Sequence, residues 1–189
     1  KKINGALRKP IVVFVDRKME SVLPFFGVAY SGNFYVPIDM QMPLLRIELI
    51  LKTLNPVAIL ANGSDVKFAL NISDDLLIIK YEDAINETID EVSIGNNRRS
   101  IVDTDPLYAT FTSGSTGVPK GVITCHRSVV DLTEDLVDTF GFTDKSIFGN
   151  QNPFYFDASI KDIFCTLKCA ATMFVIPKTD AKRPSQSKE

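Results

Sequence analysis

The chain has 189 residues, 45% of them hydrophobic and 23% charged, a composition that suits a globular domain able to bury a core. Lys plus Arg number 21 against 23 Asp plus Glu, a net charge of −2, so the basic excess of a general nucleic-acid binder is missing. No apolar run reaches the ~20 residues that cross a bilayer, and the run Ile11 to Val15 is too short for a signal-peptide core. Three cysteines without such a signal read as reduced thiols of a cytoplasmic protein. The first residue is Lys, not Met, which leads to the expectation that the chain is a piece of a longer one.

In chain order, Ile11 to Val15 is a β-branched run and predicts a buried strand. Met19, Val22, Leu23, Phe26, Ala29 and Tyr30 recur at helical spacing, and Pro24 within them is tolerated if Ser21 caps the helix and kinks it otherwise. Gly32-Asn33 ends that helix and Phe34 to Ile38 is extended. Pro43 suits the first helical position, and Leu44, Ile47, Leu51 and Leu54 form one face up to the stop at Asn55-Pro56. Val57 to Ala61 and Leu76 to Lys80 are strand-length apolar runs. Residues 83–105 are polar, and Asn96-Asn97-Arg98-Arg99 predicts an exposed loop. Leu107 to Phe111 reads as a strand. A helix from His126 to Phe140 should turn Val129, Leu132, Leu136 and Phe140 inward. Ile147 to Gln151 is extended, and a helix from Ala158 to Ala170 should bury Ile160, Ile163, Phe164 and Leu167. Thr172 to Ile176 is a last strand, and the polar tail is expected to be disordered. Continuously apolar strands alternating with helices predict an α/β fold, its mainly parallel sheet flanked by helices on both faces.

The segment Thr112-Ser113-Gly114-Ser115-Thr116-Gly117-Val118-Pro119-Lys120-Gly121 follows directly on a predicted strand. Glycine lets the backbone approach a ligand closely, and successive N–H groups form a concavity for an anion. The hydroxyls add donors and Lys120 adds a positive charge, so the segment suits a polyphosphate. A Gly/Ser/Thr cluster also suits a plain surface loop, and composition alone leaves both readings open. The spacing is neither a Walker A loop nor G-x-G-x-x-G.

These residues carry a specific resemblance. YATFTSGSTGVPKGV (108–122) resembles the phosphate-loop signature of the adenylate-forming superfamily, which includes nonribosomal-peptide adenylation domains, D-alanine–carrier-protein ligases, acyl-CoA synthetases and luciferases. PFFGVAYSGNFYVPIDMQMPLLRIELIL (24–51) resembles that superfamily's helix, Tyr-Val-Pro turn and following helix. FDASIKDIF (156–164) resembles the amino-acid-activating branch. The resemblance implies ATP and phosphate binding by Thr112, Ser113, Gly114, Ser115, Thr116, Gly117 and Lys120. It implies amino-acid binding by Asp157, Ala158 and Lys161, with Asp157 on the α-amino group. It also implies ATP and Mg²⁺ as cofactors, an aminoacyl adenylate as product, and a phosphopantetheinylated carrier protein as acceptor. No nucleic-acid or membrane partner is expected. Residues 1–178 would be part of an AMP-binding N-terminal domain and 179–189 a polar tail. The superfamily's adenine- and ribose-binding segments, and its C-terminal domain with a catalytic Lys, are expected only in a longer parent chain. Asn33 departs from the pattern, which has Gly or Ala there. An acyl-CoA synthetase and a non-catalytic binding module remain alternatives.

Other readings compete at single residues. Asp157 at a helix start suits an N-cap as well as a ligand for an ammonium group. Lys161, one turn later, suits either an acidic substrate side chain or plain solvation. Cys165, Cys169, Cys125 and His126 would make a metal site only if the fold gathered them, and none is expected. His126, the single histidine, reads as structural.

Overall fold

The computed structural model describes residue 3 and residues 5–73, 75–112 and 117–177. Strands β1 (Pro10–Val15), β2 (Phe34–Asp39), β3 (Ala58–Ala61), β4 (Leu77–Lys80), β5 (Pro106–Thr112) and β6 (Lys120–Cys125) form one six-stranded sheet. Its order is β4-β3-β1-β2-β5-β6, parallel throughout except that β6 returns antiparallel beside β5. A second, two-stranded parallel sheet joins β7 (Ile147–Asn150) to β8 (Thr172–Val175).

Strand side chains alternate between faces, so β1 feeds two cores. Ile11, Val13 and Val15 meet α1 (Leu23–Tyr30), α6 (His126–Phe140) and α7 (Ala158–Cys169) through Phe25, Val28, Val129, Ile160 and Ile163. Val12 and Phe14 meet α2 (Leu44–Leu54) and α3 (Val66–Ile72) through Ile47, Ile50, Leu51 and Ala69. Each fully buried isoleucine contributes about 1.5–3 kcal/mol relative to exposure. Helices on both faces explain the continuously apolar strands, and the predicted fold class holds.

Several local expectations need correction. The predicted first helix begins as a single 3-10 turn, Met19–Val22, and α1 starts only at Leu23 with Pro24 in its first turn. Ser21 does not cap it. Its hydroxyl donates to Asp16 Oδ1 at 2.7 Å and accepts from the Asp16 N–H at 3.2 Å. Pro43 precedes α2 as its N-cap, because its ψ of 133° is still extended. Asn96 to Arg99 are not a loop but lie in α5 (Glu91–Ser100). That helix buries no residue, so it lacks the apolar period that sequence reading depends on. It is held by the Asp90 cap, which accepts from the Ser93 N–H at 3.0 Å, and by Asn97 Nδ2, which donates to Ser31 O at 3.1 Å. Leu132, Phe140 and Leu167 are 45%, 64% and 52% exposed rather than inward. The inward row of α6 runs through Val129 and Thr133 instead. Helices α3 and α4 (Tyr81–Ile85) and strand β6 had no assignment from the sequence.

Gly32 ends α1 with φ +83°, and a Cβ there would stand 2.5 Å from Leu7 Cδ2. The next residue, Asn33, is buried with its amide fully used. It accepts from the Lys9 N–H at 3.0 Å and donates to Ala6 O at 2.9 Å and Ser31 Oγ at 3.0 Å. Asn33 therefore ties the segment before β1 to the α1–β2 turn. Among the described residues no helix is long and apolar enough to cross a membrane. The predicted tail, residues 179–189, lies outside the described residues.

Candidate functional site

Strand β5 organises the candidate site. Its last residue, Thr112, pairs with Lys120, the first residue of β6, so the two feet of the Gly/Ser/Thr segment are neighbours across an antiparallel ladder. Thr112 Oγ1 lies 3.5 Å from Lys120 O, at the outer limit of hydrogen bonding. Both side chains are exposed. Gly117 has φ +79°, a conformation that disfavours any side chain. Ser113, Gly114, Ser115 and Thr116 lie outside the described residues. The feet sit at the carboxyl end of a parallel strand, where open α/β sheets bind ligands.

Gly121 follows Lys120. A Cβ there would meet the outer end of the Phe111 ring at 3.1 Å, so the ring packs against bare backbone. Arg46 of α2 donates from Nη2 to Phe111 O at 3.2 Å, while its Nε is buried without a partner. Sequence reasoning missed this guanidinium at the base of the loop. A lone arginine on an amphipathic helix gives no signal of its own.

Asp157 occupies the N-cap position of α7 with helical φ and ψ, and its carboxylate accepts no capping bond. The side chain is exposed. The Tyr108 phenol is pushed up by burial, with the Asp157 charge adding to the rise and a Thr124 hydrogen bond opposing it. Tyr108 and Thr112 are four residues apart on one strand, about 13 Å. Ala158 opens α7 and is half-buried. Lys161 is exposed; burial raises the pKa of Asp162 and Cys165 on the same helix, and the Lys161 charge opposes that rise. No ion pair joins Lys161 to Asp157 among the described residues.

A hollow of about 640 Å³ lies between α1, α6 and α7, against Phe25, Tyr35, Leu107, His126, Val129 and Phe164. None of the predicted site residues lines it. Cys165 is buried, Cys169 donates to Phe142 O at 3.6 Å, and Cys125 faces Ser128 Oγ at 3.2 Å. Among the described residues no three His, Cys, Asp or Glu side chains gather. Thr112 and Lys120 fit phosphate oxygens as donors.

The family profile described as "AMP-binding enzyme" matches residues 5–188. The chain belongs to the AMP-binding enzyme family. A D-alanine–D-alanyl carrier protein ligase of Lactiplantibacillus plantarum is 32% identical over 175 residues, covering 90% of this chain and 33% of that protein. One from Bacillus cereus is 30% identical over 179 residues, covering 94% of this chain and 34% of that protein. The chain thus spans about a third of the length of the curated relatives it matches. Among solved structures, the nonribosomal peptide synthetase FmoA3 in its α-methyl-L-serine-AMP bound form superposes with a TM-score of 0.76 at 23% identity. That match covers 92% of this chain and 19% of FmoA3. VinN with 3-methylaspartate superposes at 0.74 and 16% identity, covering 92% of this chain and 51% of VinN. At these identities the superpositions speak for the AMP-binding fold.

Proposed function

We propose that this chain is part of an ATP-dependent ligase that activates an amino acid and passes it to a carrier protein. The observations that support it are that β5 and β6 pair the two feet of the segment, Thr112 and Lys120, and that Asp157 opens α7 with an exposed carboxylate that makes no capping bond. An oxygen of the substrate carboxylate attacks the α-phosphorus of ATP. The bond to the bridging oxygen of the β-phosphate breaks, and pyrophosphate leaves with the electron pair. Donors of the segment 112–120 stabilise the charge that grows on that leaving group. Asp157 accepts from the substrate ammonium group and so orients the carboxylate, a positioning contribution. The phosphopantetheine thiolate of the carrier protein then attacks the acyl carbon, and AMP departs. Ala158 and Lys161 face the substrate side chain, and Lys161 favours an acidic one.

The test is amino-acid-dependent ATP–pyrophosphate exchange by the full-length protein. Asp157→Ala should raise the amino-acid KM at least tenfold, since a charge-assisted contact is worth about 1.5–3 kcal/mol, and should leave the ATP KM unchanged. Asp157→Asn should behave like Ala. Asn keeps capping ability and loses charge, so wild-type kinetics in the Asn variant would leave Asp157 a helix-start residue only. Lys161→Leu should shift preference away from Asp and Glu; a wild type that activates only apolar amino acids contradicts that role.

A further inference from the structure

Asp157 stands at the start of α7 without a capping bond, so its position depends on how the rest of that helix is held. Ile160 and Ile163 bury it against the larger sheet at 2% exposure each. Apolar contact fixes depth but has little directional preference, so it resists rotation and axial sliding poorly. A hydrogen bond is directional and resists both.

One such bond lies five residues after Asp157. Asn150, the last residue of β7, is fully buried and donates from Nδ2 to Asp162 Oδ2 at 3.0 Å. Asp162 is half-buried. Burial pushes its carboxyl up, and the Asn150 bond and the Lys161 charge oppose this. Asn150 is itself pinned from behind. Its carbonyl accepts from the Ile176 N–H at 3.0 Å and from Arg17 Nη2 at 2.9 Å. The same guanidinium reaches Gln151 O at 2.8 Å and Ile176 O at 2.6 Å. Arg17 lies two residues beyond the end of β1, so the chain of contacts runs from the centre of the large sheet, across the small sheet, to α7.

We propose that Asn150 and Asp162, backed by Arg17, are positioning residues that set the rotation and register of α7 and thereby the placement of Asp157. The proposal rests on reading Asp157 as the amino-acid anchor. Two features of the contacts support it: the linkage is made of directional bonds, and it is anchored at or just beyond the ends of β1, β7 and β8.

The experiment uses the full-length protein in pyrophosphate exchange, with D-alanine and each common amino acid as probes, followed by KM for ATP and for the amino acid that responds. Asp162→Ala should raise the amino-acid KM about tenfold or more, because small misplacements of a positioning group carry large kinetic cost, with the ATP KM unchanged. Asp162→Asn should stay near wild type, since its amide oxygen still accepts from Asn150. Arg17→Lys, which keeps the charge but cannot span three carbonyls, should shift the amino-acid KM in the same direction, and it serves if Asp162→Ala does not fold. An unchanged amino-acid KM, an equal rise in both KM values, or a lower melting temperature with unchanged KM overturns the proposal. Asp157→Ala separates the two levels. If it raises the amino-acid KM and the Asp162 and Arg17 variants do not, positioning fails alone. If it has no effect, or no amino acid supports exchange, the anchor reading fails and positioning falls with it.

Discussion

His126 opens α6 half-buried, and its backbone N–H donates to Asp105 O at 3.1 Å. Burial lowers its imidazole pKa below 6.5, and the nearby Asp105 charge opposes this only in part. A group with a depressed folded pKa gives its full stabilisation above the unfolded pKa and loses it as pH falls through the folded one. The urea midpoint should therefore drop between about pH 7.5 and pH 5, and His126→Gln should flatten that drop. A His126→Gln variant with the wild-type pH dependence would contradict this. Asp105 acts lower on the scale: the Arg8 hydrogen bond holds its carboxyl below the usual range, so its share is lost only in acid. Residues differed in how much the sequence told of them. Asp157 was legible because its neighbours Phe156, Ala158 and Ser159 form a pattern. Arg17, Asn150 and Arg46 were not, because each acts on a backbone carbonyl or a distant side chain that no local spacing encodes.

At the scale of elements, the turn from α1 into β2 is the most constrained. Gly32→Ala would place a methyl group against Leu7 in a left-handed conformation that costs about 1–2 kcal/mol by itself. Urea unfolding of that variant should show a loss of at least about 1 kcal/mol, and an unchanged midpoint would mean that Leu7 gives way freely. Elements with a buried stripe or an apolar run were legible: β1 to β5, α2 and the extents of α6 and α7. Those without one were not. α5 buries no residue and is held by its cap and Asn97, and β6 is exposed along most of its length. The inward face of α6 was misread because Thr133, which satisfies its hydroxyl on Val129 O at 2.6 Å, takes an apolar role there.

At the scale of the whole molecule, many contacts join residues far apart in sequence. The Arg8–Asp105 ion pair joins residues 97 apart in sequence, and β2 pairs directly with β5. Such topology predicts refolding on the order of milliseconds to seconds, measurable by stopped-flow dilution from urea, and a microsecond phase accounting for the full amplitude would contradict it. Arg17 has a consequence for how such a chain can drift over generations. Its three acceptors are main-chain carbonyls, a group that every amino acid possesses. Replacing Gln151 or Ile176 therefore leaves the clasp intact, whereas no other side chain offers the donor fork of residue 17. Descendant sequences should be free to vary at two of the clasped positions while arginine persists at the clasp itself. That persistence would look like the mark of a reacting group, although its cause is the joining of two sheets.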